Sequence, residues 1–485
     1  MSHAANPLMV RRSAGILCHL SSLRGSCAIG DLGSCAHEFV AWCQGAGMTW
    51  WQMLPVGPIG PGESPYASTS SFAGESLFIS LEGLRDIGLL AQRDLRESSQ
   101  AAKKFSRGRG DRAGSHAKTD YDAARRAKEP AFLRAFESFR SDGGFSSKDY
   151  RAFSKRERFW LSGWQSFMRD ATGYHAFLQF AFDTQWRQLR DCAKRHGVKL
   201  LGDLPIFVTR ESADVDEHQE LFRLDRRGRP EVLTGVPPDC FSKNGQLWGH
   251  PHYRWRAHRT ERFAWWTARI AASLSRFDAV RIDHFVGFHH AYEIPAGART
   301  ARRGAWKPQA GAEVLAAARR ALKRLPLLAE DLGAVTPEIS ALRKRFGLPG
   351  MTVLHHAFGH DRAASERQSA ARASVVYSAT HDNDTTLGWF AKLDSPAKTR
   401  FCKAAGDGAA VNPSEAIIRL AFESPAQLAI IPLQDALGLD RNARMNLPGT
   451  PRGNWRWRLG ADWRLRAKKT AQNLQRLAVL THRIP

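Results

Sequence analysis

Apolar residues gather into short runs along the chain, with helix-like stretches between them. The runs cover residues 14–20, 50–56, 198–208, 278–285, 326–332, 351–358, 375–382 and 428–433. Each has the length of a buried strand. Residues 90–196 carry helical periodicity. Within them Leu178, Phe182, Trp186, Leu189 and Ala193 share one stripe, and Gly197 is placed to end that helix. Strands alternating with helices predict an α/β fold with a parallel sheet, and a count of eight favours a (β/α)8 TIM barrel over a doubly wound sheet. The expected organisation is one catalytic barrel over 1–485. It carries a mainly helical insertion at 90–196, between the second and third strands, and a loop-rich insertion at 209–262 over the active site. There is no fixed-period repeat.

Polar residues break the apolar pattern in a consistent place. Asp203 lies near the end of the third run, Asp283 ends the fourth, Glu330 the fifth, and His381-Asp382 the seventh. A buried carboxylate is costly unless paired, and the C-terminal strand ends of such a barrel form its active-site face. The acids are therefore expected to converge at the barrel mouth. Three acids with Arg and His beside them suit chemistry at an acetal, where an acid protonates the leaving oxygen and a carboxylate lies below the ring. Arg281, two residues before Asp283, shares its face of a strand and suits a nucleophile's counter-charge. Glu330, flanked by apolar surface, suits the acid.

Each of these has a plainer reading. Asp283 with Arg281 could be an interior ion pair, and Glu330-Asp331 could cap the helix that follows. His381-Asp382-Asn383-Asp384-Thr385 could be a capped turn or a divalent-cation loop. The pairs His289-His290 and His355-His356 and the set His250-Pro-His252 are weak metal signals; adjacent histidines on a strand point opposite ways. The fifteen tryptophans belong to the core by default, though some could stack on sugar rings.

Composition narrows the classes further. The chain has 485 residues, 43% hydrophobic and 24% charged, ample for a large core. Its opening stretch lacks an apolar h-region, and no run of about 18 apolar residues occurs, so neither a signal peptide nor a membrane span is expected. Seven cysteines without a Cys-x-x-Cys pair argue against a disulfide framework or zinc ribbon and suit a reduced, cytoplasmic protein. A net charge of +24 raises nucleic-acid binding. The basic residues, denser near 103–158 and 441–483, form no recognisable binding signature, so an arginine-rich solvated surface is expected.

The residues at the strand ends belong to longer segments. In order these include Ser64-Pro-Tyr-Ala-Ser68, Ser71-Phe-Ala-Gly74, Gly202-Asp-Leu-Pro-Ile-Phe-Val208, Ser212-Ala-Asp-Val215, Gly235-Val-Pro-Pro-Asp239 and Gly245-Gln-Leu-Trp-Gly249. Then follow Arg281-Ile-Asp-His-Phe285, Ala329-Glu-Asp-Leu-Gly333, Pro349-Gly-Met351, Thr380-His-Asp-Asn-Asp-Thr385, Arg444-Met-Asn446 and Gly453-Asn-Trp455. With them the chain, over about residues 14–459, resembles the amylomaltases, the 4-α-glucanotransferases or disproportionating enzymes of the α-amylase clan.

The resemblance implies transfer of α-1,4-glucan segments between maltooligosaccharides or amylose by a retaining double displacement. Glucose would be released, and large rings could form. Asp283 would be the nucleophile, Glu330 the acid/base and Asp382 the transition-state stabiliser. Arg281 and His381 would support that subsite, Tyr66 would lie under the ring, and Asp203 would be a structural or substrate-binding acid. Trp248 would sit on the acceptor-side loop, and Asn454 would contribute a sugar contact. The family uses no organic cofactor and needs no metal for catalysis. The chain departs from its usual pattern at Gly74-Glu-Ser76, Cys240, His250-Pro-His252-Tyr-Arg254, Val286 and Ala310-Gly311. Cys240, His250, His252 and Arg254 bear on acceptor use, with the imidazoles expected to titrate between about pH 5 and 8.

Overall fold

Every one of the eight apolar runs yields a strand in the computed structural model, which describes residues 6–60, 62–106, 116–238, 242–358, 372–406 and 408–484. The strands are β1 (Ser13–Leu17), β2 (Trp50–Gln52), β3 (Lys199–Leu204), β4 (Ala279–Ile282), β5 (Leu327–Ala329), β6 (Gly350–Val353), β7 (Ser374–Tyr377) and β8 (Leu428–Pro432). They pair in parallel in the order β5-β4-β3-β2-β1-β8-β7-β6. Nearly every residue of these strands is buried, as a parallel sheet wrapped by helices requires.

The sheet curls into a nearly closed (β/α)8 barrel whose seam lies between β5 and β6. There Ala329 N–H donates to Pro349 O at 3.0 Å, and Met351 N–H donates to Asp331 Oδ1 at 2.7 Å. Asp331 is thus a seam residue, also paired with Arg343 Nε at 2.9 Å. Only glycine fits at Gly350, where an added Cβ would come within 2.4 Å of that carboxylate. The helix that follows, Pro337–Arg345, is capped by Thr336 instead.

Among the described residues of 90–196, between β2 and β3, five α-helices form: Gln92–Phe105, Tyr121–Ser141, Lys148–Arg156, Leu161–Phe167 and Tyr174–Arg195. The stripe of Leu178, Phe182, Trp186, Leu189 and Ala193 is buried, and Gly197 follows the helix with φ +67°. The buried Lys128 pins the second of these helices to the barrel loops. Its Nζ donates to Asp31 Oδ2 at 3.0 Å and to Leu77 O and Ile79 O at 2.8 Å. A small antiparallel pair, His116–Lys118 with Trp457–Leu459, ties the same region to the end of the chain.

Residues 209–262, expected to be loop-rich, also hold regular structure between their loops. They form helices Ala213–Glu217 and Trp255–Thr260 and strands Val232–Val236 and Gln246–Pro251. Those strands join His290–Pro295 and Ala305–Pro308 in a four-stranded antiparallel sheet. Periodicity hid this sheet because its strands are separated in the chain by β4. Its own core is only Tyr292, Ile294 and Ala301 with Leu233 and Ala298 against them. Cys240, the first of the departures in this region, lies outside the described residues.

Candidate active site

The barrel strands stop earlier than their apolar runs, and this places the acids. Asp203 is inside β3, while Asp283 and Glu330 are the first residues past β4 and β5. β7 ends at Tyr377, so His381 and Asp382 stand on a loop rather than on a strand. That loop is a capped turn. Asn383 Oδ1 accepts from Thr380 N–H at 2.8 Å and from its hydroxyl at 2.9 Å. Thr385 Oγ1 caps helix Thr386–Lys392, and Asp384 is paired with Lys392 Nζ at 2.6 Å. Among the described residues no three His, Cys, Asp or Glu side chains are arranged to hold a metal ion.

One guanidinium organises the carboxylates. Arg281 is buried in β4; its Nη1 donates to Asp203 Oδ2 at 2.5 Å and its Nη2 to Asp283 Oδ1 at 2.8 Å. Tyr66 O–H donates to the same Asp203 oxygen at 2.7 Å, and its oxygen lies 2.9 Å from His381 Nε2. The rings of Tyr66 and His381 stack, with centroids 5.3 Å apart and planes 14° apart. Asp382 Oδ1 lies 3.4 Å from His381 Nε2 and accepts from Asn446 Nδ2 at 2.6 Å. Arg444 donates to the Asp382 carbonyl at 2.6 Å. Glu330 Oε2 accepts from His284 N–H at 2.6 Å.

Burial divides the site electrostatically. It pushes the Asp203 carboxyl up to about 7 against the pull of Arg281. It pushes Glu330 well above the usual glutamate range, again against Arg281 and with the Asp283 charge adding to the rise. Burial also lowers His381, with Asp382 opposing, so its imidazole is neutral at physiological pH. Asp283 and Asp382 keep side-chain exposures of 28% and 43%, and so face the open cleft.

Trp248 stands over this centre from strand Gln246–Pro251. Its ring meets the His284 ring edge to face at 5.0 Å. His284 itself has a left-handed backbone, φ +50°, which turns the chain out of the barrel just after Asp283. The other residues of the altered loop do structural work. His252 is buried, with Nε2 3.2 Å from Leu233 O. Arg254 donates to Phe222 O and Leu224 O, each at 3.3 Å. Burial lowers His250 and His252 to about 4, so neither titrates between pH 5 and 8 as expected. Neither histidine pair occupies two neighbouring positions of one strand. His355 and His356 form a helical turn, where His355 stacks on Trp389 at 4.3 Å. His289 precedes its strand, with its Nδ1 2.6 Å from that of His290.

Asn454 is the one proposed contact residue not gathered with the rest. Its amide closes its own loop, accepting from Leu447 N–H at 3.0 Å and donating to Thr450 O at 2.9 Å. The residues that reach the site from this segment are Asn446 and Trp455. Trp455 lies 5.6 Å from the Tyr66 ring and 5.9 Å from that of His381. Both belong to motifs singled out in the sequence, but no periodicity marks a loop residue as facing the cleft.

Comparison with known proteins agrees with this arrangement. The 4-alpha-glucanotransferase family profile matches residues 18–171 and 164–462. The 4-alpha-glucanotransferase of Thermus thermophilus is 39% identical over 490 residues, covering 92% of this chain and 95% of the relative. That of Synechocystis sp. is 38% identical over 494 residues, covering 94% and 95%. An amylomaltase from Streptococcus agalactiae, solved in complex with acarbose, superposes with a TM-score of 0.89 at 29% identity, covering 98% of this chain and all of that one.

Proposed function

The chain belongs to the 4-alpha-glucanotransferase family and is a 4-alpha-glucanotransferase, and from that premise we propose that it moves α-1,4-glucan segments by a retaining double displacement. The observation that carries the mechanism is the contrast between two carboxyls. Asp283 faces the cleft with Arg281 as a fixed counter-charge, whereas Glu330 is buried and shifted toward its protonated form. These are the two states a nucleophile and a general acid need.

Asp283 attacks the anomeric carbon of the donor glucan. Glu330, whose Oε2 is occupied by the His284 N–H, gives the proton on its other oxygen to the departing 4-oxygen. The shortened donor leaves as an alcohol, and the transferred segment stays as an ester on Asp283. Glu330, now a carboxylate, takes the proton from an acceptor's 4-hydroxyl as that oxygen displaces Asp283. Two inversions at one carbon retain the α configuration. Asp382, held by Asn446 and His381, bonds hydroxyls of the distorted ring, and Tyr66 supports its face. Trp248 lies on the acceptor side. The acarbose bound to the streptococcal relative supports an α-glucan as the occupant of this cleft. When the acceptor is the free end of the same segment, a large ring results; when it is water, the outcome is hydrolysis.

The test is incubation with maltotriose, following product lengths, free glucose, total reducing ends and the anomer first formed. A ladder of longer glucans, glucose release, a constant number of reducing ends and α products are expected. Asp283→Asn and Glu330→Gln should each lose at least about a thousand-fold in kcat while remaining folded. Rising reducing ends without a ladder would mark a hydrolase. Folded variants that keep most of the transfer rate would remove these two residues from the mechanism.

A further inference from the structure

Two loops meet beside the His381 ring. One, of which residues 57–60 and 62–70 are described, carries Tyr66; the other, residues 446–457, carries Asn446 and Trp455. Tyr66 stacks on His381, and Trp455 lies within 6 Å of both rings. These loops are joined by an ion pair that the chemistry above does not use. Arg456 Nε donates to Glu63 Oε2 and Arg456 Nη2 to Glu63 Oε1, each at 2.5 Å. The fork is bidentate, the geometry in which a guanidinium fixes orientation as well as distance.

The backbone on each side needs holding. Glu63 has φ +62° and Trp455 has φ +66°, left-handed conformations that a non-glycine residue keeps only where its surroundings impose them. The Arg456 side is moored to the helical region. Thr119 N–H donates to Arg456 O at 2.6 Å, and Tyr121 O–H donates to Trp455 O at 3.1 Å. The Glu63 side is moored to the barrel. Ile59 N–H donates to the buried Glu75 Oε2 at 2.7 Å, and Tyr66 reaches Asp203. Glu63 and Arg456 therefore join two separately anchored bodies, with the sugar platform between them.

We propose that Glu63 and Arg456 are a positioning pair, a clasp that sets Tyr66 and Trp455 in their binding arrangement before a glucan arrives. Neither touches the reacting atoms. Their side chains are 23% and 28% exposed, so dissolved salt reaches the pair and weakens it. An α-glucan carries no charge. Any effect of salt on its KM must therefore arise in the enzyme.

The experiment measures kcat and KM for maltotriose between about 0.05 and 0.5 M NaCl, a range over which the Debye length shortens severalfold. It compares wild type, Glu63→Gln, Arg456→Gln and the charge-exchanged double variant Glu63→Arg/Arg456→Glu. Amide hydrogen exchange over residues 57–70 and 446–457 is followed in the same proteins without substrate. Each single variant should raise KM about three- to five-fold at low salt, the range open to a partly exposed ion pair, with kcat within about two-fold of wild type. Wild-type KM should climb with salt toward theirs, while theirs stays flat. Both loops should exchange faster in the single variants, and the double variant should recover most of each effect. Wild-type KM at every salt concentration, together with unchanged loop exchange in folded single variants, would overturn the clasp. The exchange readout needs no turnover, so failure of the transfer reaction itself would show separately, in the wild-type product ladder.

Discussion

Asp382 is held from two sides, and this makes its neighbour informative. Asn446 Nδ2 donates to Asp382 Oδ1 at 2.6 Å, so removing it frees a carboxylate that must meet a distorted sugar in one orientation. Asp382→Ala is expected to lower kcat far more than it raises KM, since hydroxyl contacts that strengthen in the transition state are lost from that state alone. Asn446→Ala should do the same more mildly, by about ten-fold in kcat, the worth of one hydrogen bond to a charged group. Steady-state kinetics on maltotriose decide it, and a change confined to KM in either variant would contradict the role. The sequence made Asp203, Arg281, Asp283 and Glu330 legible because a charge inside an apolar run has to be accounted for. Asn446 and Trp455 had no such contrast, since polar and aromatic residues on loops are ordinary. Asn454 drew attention within a recognised motif, yet its amide is spent on its own turn.

At the scale of elements, the eight parallel strands were legible because each is buried on both faces and reads as a continuous apolar run. The antiparallel sheet over the cleft was not, because its four strands come from two distant segments and surround a very small core. That sheet has a pH signature. His252 lies on the stretch following Gln246–Pro251, and burial lowers its pKa to about 4, whereas an unfolded histidine titrates near 6.5. Below pH 6.5 the unfolded chain takes up a proton that the folded chain refuses until about pH 4. Stability is therefore lost as pH falls through that window, by about 1.4 kcal/mol per pH unit from this group. His252→Gln removes the term. Between pH 7.5 and pH 5 the variant should lose about 2 kcal/mol less than wild type, as read by denaturant unfolding at each pH. Parallel stability curves for the two proteins would show that this imidazole is not kept neutral by the fold.

At the scale of the whole molecule, the charge of +24 and the neutral site chemistry stand apart. A glucan is not steered by charge, and the Arg281 guanidinium of the cleft is paired with Asp203 and Asp283. The order of the barrel strands matters more. β1 lies between β2 and β8, and Ser13 pairs with Leu428. During synthesis the partner for one edge of β1 is therefore made roughly 400 residues after β1 itself, which at about 5–20 residues per second is some 20–80 seconds. Throughout that interval the apolar strand Ser13–Leu17 has an open edge, the kind of surface to which other chains add. Ribosome-bound chains halted before residue 428 should be cut readily by protease around β1, and chains halted well beyond β8, with that strand clear of the exit tunnel, should be protected there. Equal protection at both lengths would mean that β1 finds a temporary partner within the emerging chain. The barrel that presents Asp283 and Glu330 is thus a late product of translation, and its supply in a cell depends on how long an unfinished sheet can be kept from its neighbours.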